Sequence, residues 1–176
     1  MKKPILETDH ITTLNVDAIV NAANAGLQAG GGVCGAIFHA AGAAKLQAAC
    51  DRIGHCDTGS AVITDGFDLE ARYIIHAVGP VYDRQHPEES RALLEKCYRS
   101  ILDLAMEHEL HSVAIPCIST GIFGYPLEEA SETASATVCA WIREHAQYDL
   151  AVHFVCYTIR ETHIYQELEA DWEELG

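Results

Sequence analysis

The sequence predicts an α/β domain, and three observations predict it. Short β-branched apolar runs alternate with longer segments of helical period, the pattern of strands separated by helices. Several short runs are apolar on both faces, as in a sheet that helices cover on each side. The length, 176 residues, fits one domain spanning residues 1–176 and would crowd two.

The candidate strands are residues 18–21, 60–64, 73–78, 112–116 and 151–157. Helices fall between them. Over residues 88–109, Leu93, Leu94, Cys97, Tyr98, Ile101, Leu102 and Ala105 recur at intervals that build one buried stripe. Residues 127–145 repeat the pattern with Ala130, Ala134, Val138, Trp141 and Ile142. A last helix from about residue 162 places Ile164, Tyr165, Leu168, Trp172 and Leu175 on one face, as core. Residues 33–50 read as a helix interrupted near Gly42.

Composition narrows the function. Apolar residues make up 49% and charged residues 21%, an ordinary globular balance. Acidic residues outnumber basic ones, 26 to 11, for a formal charge of −15. Broad electrostatic binding to nucleic acid needs a basic face, so that partner is disfavoured, as is an anionic membrane surface. No apolar run approaches the roughly 18 residues of a membrane span, and the first residues turn polar before a signal-peptide core could build. The seven cysteines, at 34, 50, 56, 97, 117, 139 and 156, form no CxxC pair. They read as free thiols of a reducing compartment, and a cytoplasmic protein is expected. The densest His/Cys run, Cys50-Asp51-Arg52-Ile53-Gly54-His55-Cys56, lacks the second half of a zinc site and reads as a solvated helix end. No metal is assigned.

Two loops carry the chemistry. In the first, the apolar run Asp17-Ala18-Ile19-Val20 meets Asn21-Ala22-Ala23-Asn24, then Gly30-Gly31-Gly32 opens a helix. Glycine lets backbone approach a ligand closely, and a helix N-terminus offers free N–H groups with partial positive charge. Phosphate can be held there without a lysine, which matters in so acidic a chain. Gly30, Gly32 and Gly35 satisfy G-x-G-x-x-G, but the glycines stand too far from the strand for a dinucleotide fold, and a P-loop pattern is missing. A tight structural turn is the alternative. The second loop, Pro116-Cys117-Ile118-Ser119-Thr120-Gly121-Ile122-Phe123-Gly124-Tyr125-Pro126, again links a short strand to a helix. It offers two hydroxyls, a free backbone and, in Phe123, a flat face for a sugar. Both loops would lie at the carboxyl ends of strands, where α/β sheets bind ligands. Two glycine loops facing each other suit a diphosphate.

These runs resemble the macrodomain family, specifically its MacroD-type branch of ADP-ribose-binding proteins and hydrolases. Val16-Asp17-Ala18-Ile19-Val20-Asn21-Ala22-Ala23-Asn24 is similar to the family's first signature, and Gly30-Gly31-Gly32-Val33-Cys34-Gly35-Ala36-Ile37 to its first phosphate loop. His76-Ala77-Val78-Gly79-Pro80 and the 118–126 loop match two further signatures in order, and Phe154-Val155-Cys156-Tyr157 fits the last strand. The likeness covers roughly residues 9–168. It implies a three-layer α/β/α sandwich whose mixed, mostly parallel sheet has about six strands. It further implies that Asn24 holds the distal ribose and helps place a water, with Asn21 supporting the strand end. The backbone of Gly31, Gly32, Val33 and Cys34, with Ser119, Thr120, Gly121, Ile122 and Phe123, would clasp the diphosphate and distal ribose. Tyr157 would sit near the adenine, with His10 and Ile11.

Two positions depart from the family pattern. His10 stands where an aspartate usually accepts the adenine amino group; a neutral imidazole accepts one hydrogen bond and a protonated one none, and Asp9 could reach in instead. Cys34 stands where hydrolases commonly carry an aspartate beside the attacking water. Its thiol either ionises at the helix N-terminus or simply packs behind the loop. The expected function is hydrolysis of an ADP-ribose ester: mono-ADP-ribosyl groups on acidic side chains, O-acetyl-ADP-ribose, or both. The catalytic residues would be Asn24 and Cys34, no cofactor is needed, and ADP-ribose or an ADP-ribosylated protein is the partner of an expected monomer. A non-catalytic ADP-ribose reader and a regulator of a ribonuclease are the alternatives.

Overall fold

A computed structural model describes residues 1–175. Its strands are β1 (Ile5–Glu7), β2 (Ala18–Ala22), β3 (Ala61–Asp65), β4 (Tyr73–Ala77), β5 (Ser112–Pro116) and β6 (Ala151–Val155). They form one six-stranded sheet in the order β1-β6-β5-β2-β4-β3. Every pairing is parallel except that of β3 with β4. The helices are α1 (Gly32–Ala41), α2 (Ala43–Ile53), α3 (Pro87–Glu107), α4 (Leu127–Glu144) and α5 (Ile159–Leu168).

Strand alternation explains the three layers. In β2, Ile19 faces the core built with α1 and α2, while Ala18 and Val20 face the core of α3 and α4. All three are fully buried, which is why this strand reads as continuously apolar. The stripe predicted on α3 packs as expected, with Leu94, Cys97, Tyr98, Ile101, Leu102 and Ala105 buried. Gly42 splits the 33–50 region as its composition suggested. Its φ of 100° is open to glycine and costly to other residues, and the chain turns there from α1 into α2.

The structure corrects the sequence reading at both ends of the chain. β1 was not expected: three residues ending in Glu7 are too few to show alternation, and the strand exists through pairing with β6. β6 stops at Val155 rather than residue 157, because the Tyr157 N–H donates to Glu161 Oε1 at 2.7 Å and leaves the ladder. The last helix starts at Ile159, not near 162. Thr158 and Glu161 form a reciprocal capping box there, and the first turn adds nothing to the buried stripe because its apolar residue, Ile159, is exposed. From Glu169 to Leu175 the helix tightens to 3-10 geometry, and Trp172 Nε1 donates to Ser135 Oγ of α4 at 2.8 Å.

Candidate functional site

β2 and β5 are parallel neighbours at the middle of the sheet, so their carboxyl ends open at one edge. Each feeds a loop that leads to a helix. Between the loops lies a cleft of about 390 Å³, walled by Ala22, Ala23 and Asn24, by Gly30, Gly31, Gly32, Val33 and Cys34, by Gly79, and by Cys117, Ile118, Ser119, Gly121, Ile122 and Phe123. Every wall residue is uncharged. An anion placed here meets no side-chain repulsion.

The first loop ends in an uncapped helix. Gly31 is the N-cap of α1, and no side chain accepts from the first turn. Gly35 is the first residue whose N–H reaches a carbonyl, that of Gly31 at 3.2 Å. The N–H groups of Gly32, Val33 and Cys34 are therefore left to solvent or ligand, and the dipole favours an anion. Two glycines are required by geometry. Gly32 has φ +56°, and a Cβ on Gly35 would stand 2.5 Å from the Gly30 carbonyl oxygen. Gly31, by contrast, has open space around its Cβ position.

The second loop is pinned from below. Tyr125 N–H donates to Ser119 O at 2.9 Å, Gly124 N–H to Gly121 O at 3.0 Å, and Tyr82 N–H to Phe123 O at 2.8 Å. Ser119 itself is held at φ +69°, an uncommon conformation for a residue with a side chain. Its hydroxyl is buried in the cleft wall and finds no partner among the described residues.

Asn24 lines the cleft, with its amide ends engaged by the chain: Nδ2 donates to Gln28 O at 2.9 Å, and Oδ1 accepts from Gln28 N at 3.0 Å. Cys34 is nearly buried, and its Sγ lies 3.8 Å from Gln28 O as a weak donor. No carboxylate or imidazole shares the cleft wall with it.

The structure thus gathers Asn24, Gly31, Gly32, Val33, Cys34, Ser119, Gly121, Ile122 and Phe123 into one cleft and leaves out the other expected residues. Thr120 is not among its walls. Asn21 points beneath the sheet, where its Nδ2 lies 3.0 Å from His76 Nδ1. His76 Nε2 in turn lies 2.9 Å from Thr64 Oγ1, and burial pushes His76 down to about 4, so it stays neutral. His10, Ile11 and Tyr157 form a separate shelf. The Ile11 N–H donates to Tyr157 Oη at 3.3 Å, and the His10 and Tyr157 rings are 6.3 Å apart. Tyr157 borders a second groove of about 370 Å³ with Thr8, Cys156 and Thr158. Gly79 and Cys117 are wall residues that the sequence reading did not assign. The first lay inside the 76–80 run and the second at the head of the loop.

A wider groove of about 600 Å³ between α4 and α5 is bordered by Glu128, Glu132 and Glu167 as well as Arg160 and His163. Its carboxylates oppose a diphosphate, so the neutral cleft is the better anion site.

The model of the Macro domain family matches residues 20–134. The chain belongs to the macro domain family. Among its relatives, the rat protein named ADP-ribose glycohydrolase MACROD1 is 48% identical over 89% of this chain, which spans 60% of that relative's length. The Salmonella gallinarum protein named O-acetyl-ADP-ribose deacetylase is 49% identical over 90% of this chain and 89% of its own. The solved macrodomain of Oceanobacillus iheyensis with ADP superposes with a TM-score of 0.87 at 38% identity, over 97% of this chain and 92% of that one. As a macro domain, the chain has the six-stranded sheet and flanking helices that the resemblance implied. Among the described residues, no helix is long and apolar enough to cross a membrane.

Proposed function

We propose that this macro domain binds ADP-ribose in the cleft and hydrolyses an ester of it, either a mono-ADP-ribosyl group on an acidic side chain or O-acetyl-ADP-ribose. The observation that carries the reading is the uncapped N-terminus of α1 facing the 117–125 loop across a wall without charge. Backbone dipoles suit the diphosphate, Phe123 suits the distal ribose, and Asn24, on the cleft wall, would orient a water beside that ribose. The names borne by the rat and Salmonella relatives support the same substrate class. In the acyl route, water oxygen bonds to the acyl carbon, the acyl–oxygen bond breaks, and the ribose oxygen leaves with a proton. Positioning and fixed dipoles supply most of the effect.

A reader that holds ADP-ribose without cleaving it is the second reading. It is favoured by Cys34 and by the lack of any carboxylate or imidazole in the wall. Calorimetric titration with ADP-ribose tests the site: saturable binding near micromolar, about −8 kcal/mol, is expected, and no binding at millimolar overturns it. Single-turnover hydrolysis of a glutamate-linked ADP-ribosyl protein then separates enzyme from reader.

A further inference from the structure

Cys117 and Cys156 follow directly on β5 and β6, which are parallel partners whose last matched pair is Pro116 with Val155. The next pair in register is therefore Cys117 with Cys156. Alternation fixes their side. Ile115 and Phe154 face the α3 and α4 core, Val155 faces the opposite one, and Cys117 and Cys156 return to the first. Adjacent strands run about 4.8 Å apart, inside the roughly 4.4–6.8 Å window of Cα separations that a disulfide spans. In keeping with that pairing, the Cys156 thiol is the first influence that raises the Cys117 thiol above its ordinary range. Cys156 is almost fully buried, whereas Cys117 is only partly so and forms part of the cleft wall, giving small reagents one way in.

The geometry points to a reversible modification site: Cys117 and Cys156 form a dithiol that closes to an intramolecular disulfide under a peroxide, with Cys117 the entry sulfur. Cys117 Sγ attacks one peroxide oxygen, the O–O bond breaks, and a sulfenic acid and one water result. Cys156 Sγ then displaces the hydroxyl from that sulfur, forming the S–S bond and releasing a second water. Two thiols lose two electrons and two protons, and the peroxide is reduced to two waters. The surroundings make the resting dithiol slow to react. Contact with Cys156, burial and the Glu161 carboxylate all hold the Cys117 thiol well above its ordinary range, and Tyr98, Tyr157 and Tyr165 around it are uncharged phenols. Since only the thiolate attacks, the rate should climb about tenfold per pH unit from 7 to 9. The crosslink would tie the root of the 117–125 loop to the segment carrying Tyr157. On the ADP-ribose reading of the cleft, bound ligand covers Cys117 and slows closure.

Differential alkylation and peptide mass mapping of the whole protein after hydrogen peroxide treatment test this, with no variant needed. The expected product is a 117–156 crosslinked peptide that a thiol reductant reverses, forming faster at pH 9 than at pH 7. Cys117 recovered as sulfinic acid without a crosslink, Cys117 joined to another cysteine, or both residues still alkylatable would each overturn the pair. C117S should leave Cys156 reduced; a Cys156 oxidised at the wild-type rate in that variant overturns Cys117 as the entry sulfur. Saturating ADP-ribose should slow crosslinking at least fivefold. An undiminished rate with binding confirmed by calorimetry overturns the link to the cleft, whereas absent binding is a failure of the ADP-ribose reading and leaves the crosslink result intact.

Discussion

Gly79 and Ser119 stand in direct apposition: a Cβ added to Gly79 would collide with Ser119 Oγ and come within 2.5 Å of Ile118 Cγ2. This contact seats the second loop on the end of β4. The loop reaches the cleft, with Ser119 held at φ +69°, because residue 79 has no side chain.

Gly79→Ala should therefore cost stability and ligand affinity together. Overpacking of this kind costs about 1–3 kcal/mol, and a displaced loop should weaken ADP-ribose about tenfold, some 1.4 kcal/mol. Gly31→Ala is the matched control, since nothing lies within 4 Å of its Cβ position and its φ is −87°. It should lower affinity with little change in stability. Urea unfolding and calorimetry on both variants check this; equal stability losses would show that the apposition does not set the loop.

The buried Asn21–His76–Thr64 chain predicts an acid-side loss of stability. Burial holds folded His76 at about 4 against an ordinary value of 6.5. Below pH 6.5 the unfolded chain takes up a proton that the folded chain refuses, so stability falls as pH drops and levels off near 4. The contribution is about 3 kcal/mol over that window. His76→Gln should be less stable at pH 7, by about 1–3 kcal/mol for disturbed buried hydrogen bonds, yet lose correspondingly less between pH 7 and 4. Parallel urea midpoints across that range would rule out His76 as the source.

The same chain shows where sequence reading stops. Asn21 and Asn24 look like a pair, three residues apart in one signature. Strand period separates them: Asn21 shares the face of Ile19 and turns under the sheet, while Asn24 lies beyond β2 and is free to face the cleft. Glycine content revealed both loops because a φ of +56° at Gly32 and close packing at Gly35 in the first, and a φ of +72° at Gly124 in the second, leave a compositional mark. The stripes of α3 and α4 were legible for the corresponding reason, since burial of one face imposes a period. Strand order, the three-residue β1 and the place of Gly79 under Ser119 left no such mark. They arise from contacts between segments far apart in the chain.

We expect the residue at position 34 to set how fast the cleft turns over an ester. Its sulfur, 3.8 Å from Gln28 O, sits in the first turn of α1, a turn that holds no acidic residue. A carboxylate there would supply a base beside the water and is compatible with the helix dipole. It would also repel a bound diphosphate. Cys34→Asp should raise single-turnover hydrolysis of a glutamate-linked ADP-ribosyl protein about tenfold or more, within the range general bases contribute, while weakening ADP-ribose several-fold by like-charge repulsion. Cys34→Ser should match the native rate if the thiol only packs. A more than tenfold loss in Cys34→Ser, with the fold intact, would instead make the thiolate the catalytic group. An unchanged rate in Cys34→Asp would show that the residue at this position does not limit the reaction.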